Sequence, residues 1–294
     1  MEINDLKLEQ AGNRTYVVRG RTNAGIYCID DTRVALIDTG FAGSGSIIDE
    51  MISARGWIPE YIINTHSHID HMGGNKYFDD KYHIPSYLTR RELVIAQNSE
   101  LEAAYMNGGY PARRLRNGFA RPENLDYRPV EEAVLEGISF TDLSGHSPGM
   151  IGIRTDDDVW FTGDAYLSRS YLENHMFSFI YRIDGFIESL HKLNSLDGRL
   201  FVPSHGIIEE DISDTIKKNL DNMDRMAQFF LDTCAEPKGI DEILKNMFER
   251  LNMPRGIGYY AMASATARSF LSYLQDKGEL QCQFSDNVNK WCRK

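Results

Sequence analysis

The chain has 294 residues, of which 42% are hydrophobic and 26% charged, proportions typical of an ordinary globular protein. No apolar run approaches the roughly 18 residues of a membrane span, and residues 1–5 are too polar for a signal peptide, so we expect a cytoplasmic protein without a membrane partner. Four cysteines without C-x-x-C spacing indicate reduced thiols. The net charge of −11 disfavours non-specific binding of nucleic acid.

Short β-rich runs separated by Gly, Asn and Asp open the chain and predict an antiparallel meander. The runs lie at residues 15–18, 25–29 and 33–37. A Gly- and Ser-rich segment then opens a helix over residues 47–52, and Pro59 precedes a strand that ends near Asn64. Strand, helix and strand together predict a β–α–β unit.

A concentration of ionisable side chains follows this strand directly. Residues 65–74 read THSHIDHMGG and contain His66, His68, Asp70 and His71. Core packing does not explain this density, because each buried imidazole or carboxylate would need its own polar partner, which a metal ion supplies. In an extended segment His66 and His68 project to the same side, while the other two fall where a helix would begin. The motif therefore predicts two groups of ligands that converge on neighbouring points.

Three further ligand candidates lie downstream at the ends of short apolar runs, each flanked by Gly or Pro. They are His146, Asp164 and His205. Side chains in this setting project from strand ends along one rim of a sheet core. Asp38 ends an earlier run, VALIDTG, and is either a turn residue or part of the same site.

Taken in chain order, these residues resemble the five motifs of the metallo-β-lactamase superfamily: Asp38, the H-x-H-x-D-H segment at residues 66–71, His146, Asp164 and His205. The resemblance covers residues from about 10 to 209. It implies an α/β fold, the αββα sandwich, in which helices cover both outer faces of two stacked sheets. Four further β-rich runs fit the second half of that sandwich, at residues 133–135, 138–141, 151–153 and 159–161.

The resemblance also implies roles for individual residues. One metal would be held by His66, His68 and His146, the other by Asp70, His71 and His205, and Asp164 would bridge both. Asp38 would brace the histidine loop, and Asp70 would act as a catalytic residue by accepting a hydrogen bond from the attacking water. Imidazole and carboxylate ligands suit two divalent cations, with Zn²⁺ expected and iron or Mn²⁺ left open.

Residues 89–130 interrupt the succession of β-rich runs and contain a cluster of arginines. A helical composition over residues 91–105 is followed by a turn and then by Arg113, Arg114, Arg116 and Arg121. Insertions at this point often border the active site in the family, so these arginines are candidates for binding an anionic substrate. A solvated basic helix face is the alternative.

Tyr166, two residues after Asp164, is a weaker candidate for substrate binding. Its hydroxyl could donate a hydrogen bond to an oxyanion, although an aromatic residue there also packs well against the rim of a sheet.

The chain is longer than a usual single domain of about 100–200 residues, and its character changes after His205. We expect a catalytic domain over residues 1–209, a connecting helix over 210–236 and a small domain over 237–294. Apolar stripes in the tail predict helices over residues 240–251 and 264–276, and a terminal hairpin joins 280–284 to 288–292. This helical domain resembles the winged-helix-like domain at the end of some hydrolases of the superfamily.

A winged helix suggests DNA binding, but the third predicted helix offers only Arg268 and Lys277 as cations. We therefore favour a lid or a dimer surface for this domain over a nucleic-acid partner, and the formation of a homodimer is left open.

The ligand set resembles that of glyoxalase II and predicts hydrolysis of a small ester, thioester or lactone by a metal-bridging hydroxide. Asp164 stands where the best-known zinc β-lactamases carry a cysteine, which argues against β-lactams as natural substrates. Two alternatives remain: a phosphodiesterase or ribonuclease of the same fold, and an iron-dependent thiol or persulfide oxidoreductase. The expected partner is a small molecule, which would be anionic if the arginines bind it.

Overall fold

Two sheets form the centre of the computed structural model, which describes residues 6–119, 124–174, 177–251 and 253–294. The strands of the first sheet lie in sequence order: β1 Lys7–Gln10, β2 Thr15–Arg19, β3 Ala24–Cys28, β4 Arg33–Ile37, β5 Ile58–Ile63, β6 Ser86–Leu88 and β7 Tyr127–Pro129. The second sheet has the order β11-β10-β9-β8, formed by β8 Ile138–Asp142, β9 Ile151–Thr155, β10 Val159–Gly163 and β11 Leu200–Pro203.

The predicted meander and β–α–β unit are both present in the first sheet. Strands β1 to β4 pair antiparallel, and β4 pairs parallel with β5 across helix α1, Ser44–Ser53. Consecutive side chains of a strand point to opposite faces. Ile37 and Ile63 accordingly pack between the two sheets, while Leu36 and Ile62 pack under the outer helices. Both faces of β4 and β5 are therefore buried.

Helices cover the outer faces of both sheets and complete the predicted αββα sandwich. On the first sheet, α1 packs with α3, Asn75–Tyr82, which follows the single turn α2, Ile69–Met72. On the second sheet, Phe161 of β10 points into the sandwich, whereas Trp160 points outward to helices α8, Ile183–Leu193, and α9, Ser213–Thr233. A short helix α7, Arg169–Asn174, precedes them.

Two predicted elements of the first domain are wrong. The helix predicted over residues 91–105 is split into α4, Arg90–Ala96, and α5, Glu100–Asn107, because the Asn98 side chain donates to the Val94 carbonyl in competition with the backbone. The strand predicted over 133–135 instead follows a single 3₁₀ turn, Val130–Glu132. Val134 is fully exposed, so it has no core against which a strand could pack. Helix α6, Arg113–Phe119, completes the insertion.

The C-terminal segment forms the predicted helices and hairpin. Helix α10 spans Ile240–Arg250, α11 spans Ile257–Asp276 and thus begins before residue 264, and β12, Leu280–Ser285, pairs with β13, Val288–Arg293. The hairpin turn places Asp286 and Asn287 at φ 52° and 61°, in the left-handed region that tight turns use.

The tail packs on the body of the protein. One buried cluster extends from Leu143 beside the second sheet to Leu280 in the hairpin, and the rings of Phe230 and Phe270 stack with centroids 5.0 Å apart. The domain boundaries at residues 209 and 236 and the winged-helix comparison stay predictions. Within the described part of the chain, no helix is long and apolar enough to cross a membrane.

Candidate metal centre

The seven predicted ligands lie at one rim of the sandwich because of how their strands are directed. His66, His68, Asp70 and His71 follow the end of β5, Asp164 follows β10, and His205 follows β11. His146 precedes β9, which runs antiparallel to β10, so the start of β9 lies at the same rim as the end of β10. Parallel pairing of β10 with β11 brings the last two ligands side by side.

The structure brings these side chains together as two main sets. One is the histidine set, His66, His68 and His146, and the other is the mixed set, Asp70, His71 and His205; within each, the potential ligand atoms lie within 4.8 Å of one another. Asp164 lies between the sets. Its Oδ2 is 3.4 Å from His146 Nε2 and 3.5 Å from His205 Nε2, and its Oδ1 is 3.7 Å from His71 Nε2.

Several polar atoms at the centre of this cluster are buried without a hydrogen-bond partner among the described residues. They are His66 Nε2, His71 Nε2 and Asp164 Oδ1. A buried polar atom without a partner costs folding free energy, and these three residues themselves form a group with ligand-atom spacing. The donor set is therefore the one expected for divalent metal ions, and the residues present fit such ions.

The second nitrogen of each imidazole is held by the protein, which orients the other nitrogen towards the cluster. His71 Nδ1 lies 2.9 Å from Asp38 Oδ2, His146 Nδ1 donates to the Phe179 carbonyl at 3.0 Å, and His205 Nδ1 donates to the Arg21 carbonyl at 2.8 Å. His68 is reversed: its Nε2 contacts the Tyr105 hydroxyl at 3.1 Å and its Nδ1 faces the cluster.

The structure agrees with both interpretations of Asp38, as a turn residue and as part of the site. Its φ of 55° makes it a left-handed turn residue at the end of β4. Its carboxylate also accepts hydrogen bonds from the Thr65 backbone N–H at 2.9 Å and the Thr65 hydroxyl at 2.8 Å, and contacts His71. The side chain thus braces the histidine loop beneath the ligands.

We expect Asp38→Asn to weaken metal affinity by about 10- to 100-fold, the usual effect of removing a partner of a ligand. Asn tolerates left-handed backbone, so the change removes the charge without backbone strain. An amide N–H facing His71 Nδ1 would favour the tautomer that carries its proton on Nε2, the nitrogen that should bind metal. Chelator competition measures the affinity.

Asp158→Asn is the matched control, because Asp158 also has a left-handed φ, of 59°, but is exposed and pairs with Arg154. Unchanged metal affinity in both variants would show that Asp38 is a turn residue that does not support metal binding.

Burial and neighbouring charges shift the imidazole pKa values of the two sets in different directions. Burial lowers the pKa of every imidazole in the histidine set below its ordinary value. For His71 burial acts in the same direction, but the carboxylates of Asp70, Asp38 and Asp164 outweigh it and raise the pKa to about 9. Burial thus favours the neutral imidazoles of the histidine set, whereas the carboxylates of Asp38, Asp70 and Asp164 favour the charged form of His71.

Glu92 supports the predicted metal centre, although the sequence does not indicate this residue. It is fully buried, and its carboxylate accepts hydrogen bonds from the Ser67 backbone N–H at 2.9 Å and hydroxyl at 2.6 Å, from the Ser147 hydroxyl at 2.8 Å and from the Gly149 N–H at 2.6 Å. Glu92 therefore joins the loop of His66 and His68 to the loop of His146. In the sequence it follows two arginines and looks like part of an exposed helix face.

A cavity of about 480 Å³ opens beside the ligands His146, Asp164 and His205. Tyr166 lines it, and its buried hydroxyl has no hydrogen-bond partner among the described residues, although the ring also packs in the core. The rest of the described lining comes from residues 167–179 and from the C-terminal segment at residues 251–262.

Three of the four predicted arginines of the insertion lie among the described residues. Arg113 and Arg114 are exposed, and Arg116 donates to the Pro111 carbonyl at 2.7 Å and covers the ring of Tyr110. None of these three is among the described residues that line the cavity. Arg121 lies outside the described residues. Their role in substrate binding stays a prediction.

Comparison with known proteins agrees with this geometry. Residues 17–205, more than half of the chain, match the profile described as the metallo-beta-lactamase superfamily. The chain therefore belongs to this superfamily, whose motifs hold the His and Asp cluster described above.

Curated relatives share part of the chain. The chain is 31% identical over 144 residues to the probable metallo-hydrolase YqgX of Bacillus subtilis (strain 168), a match that covers 47% of this chain and 63% of that protein. It is 29% identical over 138 residues to an N-acyl homoserine lactonase of Bacillus sp, covering 44% of this chain and 48% of that protein. The chain thus spans less than two thirds of the length of each of these relatives.

Solved structures are similar over nearly the whole chain. A beta-lactamase domain protein from Burkholderia ambifaria has a TM-score of 0.75 with 19% identity, covering 98% of this chain and 94% of that one. A metallo-beta-lactamase family protein from Thermus thermophilus has a TM-score of 0.70 with 19% identity and covers 99% of both chains. The similarity in fold therefore includes the C-terminal segment.

Proposed function

We propose that the protein is a dinuclear metal-dependent hydrolase that cleaves a small ester, thioester or lactone. The observation that carries this proposal is the group of orphaned buried atoms, His66 Nε2, His71 Nε2 and Asp164 Oδ1, at the centre of two ligand sets. A cavity large enough for a small substrate opens directly beside them.

The histidine set would hold one Zn²⁺ and the mixed set the other, with Asp164 shared between them. Two bound divalent cations would supply a hydroxide at neutral pH and polarise the carbonyl oxygen of the scissile bond. Imidazole and carboxylate ligands are equally compatible with Mn²⁺ and iron, so the identity of the metal is part of the test below.

Asp70 and Tyr166 are the residues that would act on protons and charge. Asp70 Oδ2 accepts from the Thr22 hydroxyl at 3.2 Å, which helps to hold the carboxylate, and the side chain is still 21% exposed, so attacking water can reach it. Asp70 can thus accept the hydrogen bond of that water. Tyr166 lines the cavity, but its hydroxyl is fully buried, so donation to a developing oxyanion would require the side chain to move.

Acyl substrates are favoured over phosphodiesters for a physical reason. Recognition of phosphate usually relies on Arg or Lys, and neither lines the cavity among the described residues. One of the curated relatives is named as a lactonase, which supports an acyl substrate as well.

Metal analysis combined with a substrate screen tests the proposal. We expect two metal ions per chain after gentle purification, and turnover of thioesters, lactones or p-nitrophenyl esters that is lost when the metal is removed and regained when it is restored. Faster turnover of bis-p-nitrophenyl phosphate would favour the phosphodiesterase alternative, and oxygen uptake with a thiol or persulfide would favour the oxidoreductase. One metal ion per chain would contradict the dinuclear site.

We further propose that the exposed arginines of α6 act at the approach to the site. Changing Arg113 and Arg114 together to Gln should raise KM for an anionic ester several-fold with little change in kcat, because a remote charge contact binds the ground state and the transition state alike. Steady-state kinetics with an anionic ester and its neutral analogue measure this. If the KM for the anionic ester equals the KM for the neutral ester in the unmodified protein and in the variant, the arginines do not bind substrate.

A further inference from the structure

We infer that the cavity beside the predicted ligands binds an apolar acyl chain, and that the C-terminal residues Leu251, Met253, Tyr259 and Met262 set the length of chain that fits. The inference rests on the proposed hydrolase function, which it makes more specific. Four observations support it: the chemistry of the lining, the origin of one wall, the attachment of that wall to the site and the volume of the cavity.

The cavity has a polar end and an apolar remainder. His146, Asp164 and His205 form the polar end, and the apolar part is lined by Leu167, Phe177, Phe179, Leu251, Met253 and Met262. The described lining contains no Lys or Arg. Ser168, Tyr171, Ser178 and Tyr259 also contribute to the lining, but an anionic group there would find no positive charge to pair with, whereas a hydrocarbon chain is stabilised by burial.

One wall of the apolar part comes from the tail. Leu251 and Met253 lie in the connection after α10, and Tyr259 and Met262 lie on the first turns of α11. The lining thus combines residues that follow β10 with residues almost a hundred positions further along the chain. The tail is consequently part of the proposed substrate site.

This wall is attached to the segment that orients a metal ligand. The Thr266 hydroxyl of α11 accepts from the Ile180 N–H at 3.0 Å and donates to the Ser178 carbonyl at 3.4 Å. Between these two positions lies Phe179, whose carbonyl accepts from His146 and whose ring lines the cavity. The position of α11 is therefore coupled to the position of the reacting end of the cavity.

The volume and the polarity together define the substrate class. About 480 Å³ is within the usual range of small-molecule sites, so the cavity can hold a medium-length chain with its carbonyl at the ligands. Because the acyl chain occupies the apolar part, any negative charge of the substrate would lie on its alcohol or thiol portion, outside the cavity.

Hydrolysis of a homologous series tests the inference in the metal-loaded protein. With p-nitrophenyl acetate, butyrate, hexanoate, octanoate and decanoate, we expect kcat/KM to rise about threefold to fourfold per added methylene until the cavity is full, since burial of one CH₂ contributes about 0.8 kcal/mol. Beyond that length, kcat/KM should fall. The leaving group is the same throughout the series, so the trend reports the acyl chain alone.

Substitutions in the wall should move this optimum in opposite directions. Met262→Trp narrows the cavity and should shift the preference to shorter chains, whereas Leu251→Ala widens it and should shift the preference to longer ones. Met51→Trp is the matched control, because Met51 is also a half-buried methionine on a helix but packs against the outer face of the first sheet. Its chain-length profile should equal that of the unmodified protein.

A second readout does not depend on turnover. We expect neutral alcohols from 1-butanol to 1-octanol to bind more tightly as the chain lengthens, and Met262→Trp, but not Met51→Trp, to weaken the binding of the longest, as measured by calorimetry. Ester hydrolysis with a flat chain-length profile and no alcohol binding would overturn the inference while leaving the hydrolase intact. Graded alcohol binding without hydrolysis of any ester or thioester would support the cavity and refute the proposed function.

Discussion

Changing Asp164 to Ala should reduce hydrolysis by roughly 10³-fold or more, because metal contacts contribute several kcal/mol to transition-state stabilisation and each 1.4 kcal/mol is a factor of ten in rate. Asp164 lies between both ligand sets, with its Oδ2 atom 3.4 Å from His146 Nε2 and 3.5 Å from His205 Nε2. Its removal should therefore affect both metals, and we expect the purified variant to contain fewer than two ions per chain.

His205→Ala is the comparison for this prediction, because His205 belongs to one set only and is 44% exposed. Its loss should reduce activity less than the loss of Asp164 does. Kinetics and metal analysis of the two variants, side by side, measure the difference. Near-normal activity of Asp164→Ala would be incompatible with the dinuclear mechanism.

Changing Glu92 to Gln should destabilise the protein by about 3 kcal/mol and weaken metal binding. The carboxylate accepts four hydrogen bonds, two on each oxygen, and hydrogen bonds to a charged group each contribute about 1.5–3 kcal/mol. The amide of Gln keeps one acceptor oxygen. Its NH₂ group would face two hydrogen-bond donors, which would then lack an acceptor. Urea unfolding measures the stability change.

The effect on metal binding follows from what Glu92 connects. Ser67 lies between two ligands and Ser147 follows a third, so a weakened bridge should loosen the histidine set and lower metal affinity by about 10- to 100-fold. Glu132→Gln is the control, since Glu132 is exposed in a surface pair with Arg90, and such pairs contribute about 0–1 kcal/mol. Equal stability of the two variants would show that Glu92 is replaceable.

Much of the metal centre could be predicted from the sequence because its signals are local. His66, His68, Asp70 and His71 lie within six residues, and so many ligands at this spacing have no explanation in packing. The remaining ligands follow apolar runs and flank Gly or Pro, which marks strand ends. The terminal hairpin was predictable for the same reason, since turn residues and alternating strands are adjacent in the chain.

The division of the helix in the insertion and the absence of a strand at residues 133–135 could not be predicted in this way. A helical composition over residues 91–105 does not reveal that the Asn98 side chain would compete for a backbone carbonyl and divide the helix. The β-rich residues around Val134 are compatible with a strand, but they lack a neighbouring surface to cover them. Local preference is overridden where packing is missing.

By itself the sequence determined the superfamily, and the resemblance implied the αββα sandwich and the seven predicted ligands, because that resemblance rests on short motifs. Only the tertiary structure decided that Glu92 joins the loop of His66 and His68 to the loop of His146, and that Leu251, Met253 and Met262 form a wall of the cavity beside Asp164. Each of these contacts joins residues that are remote in the chain. Such contacts exist only after the sheets have stacked and the helices have packed on them, so no local pattern encodes them.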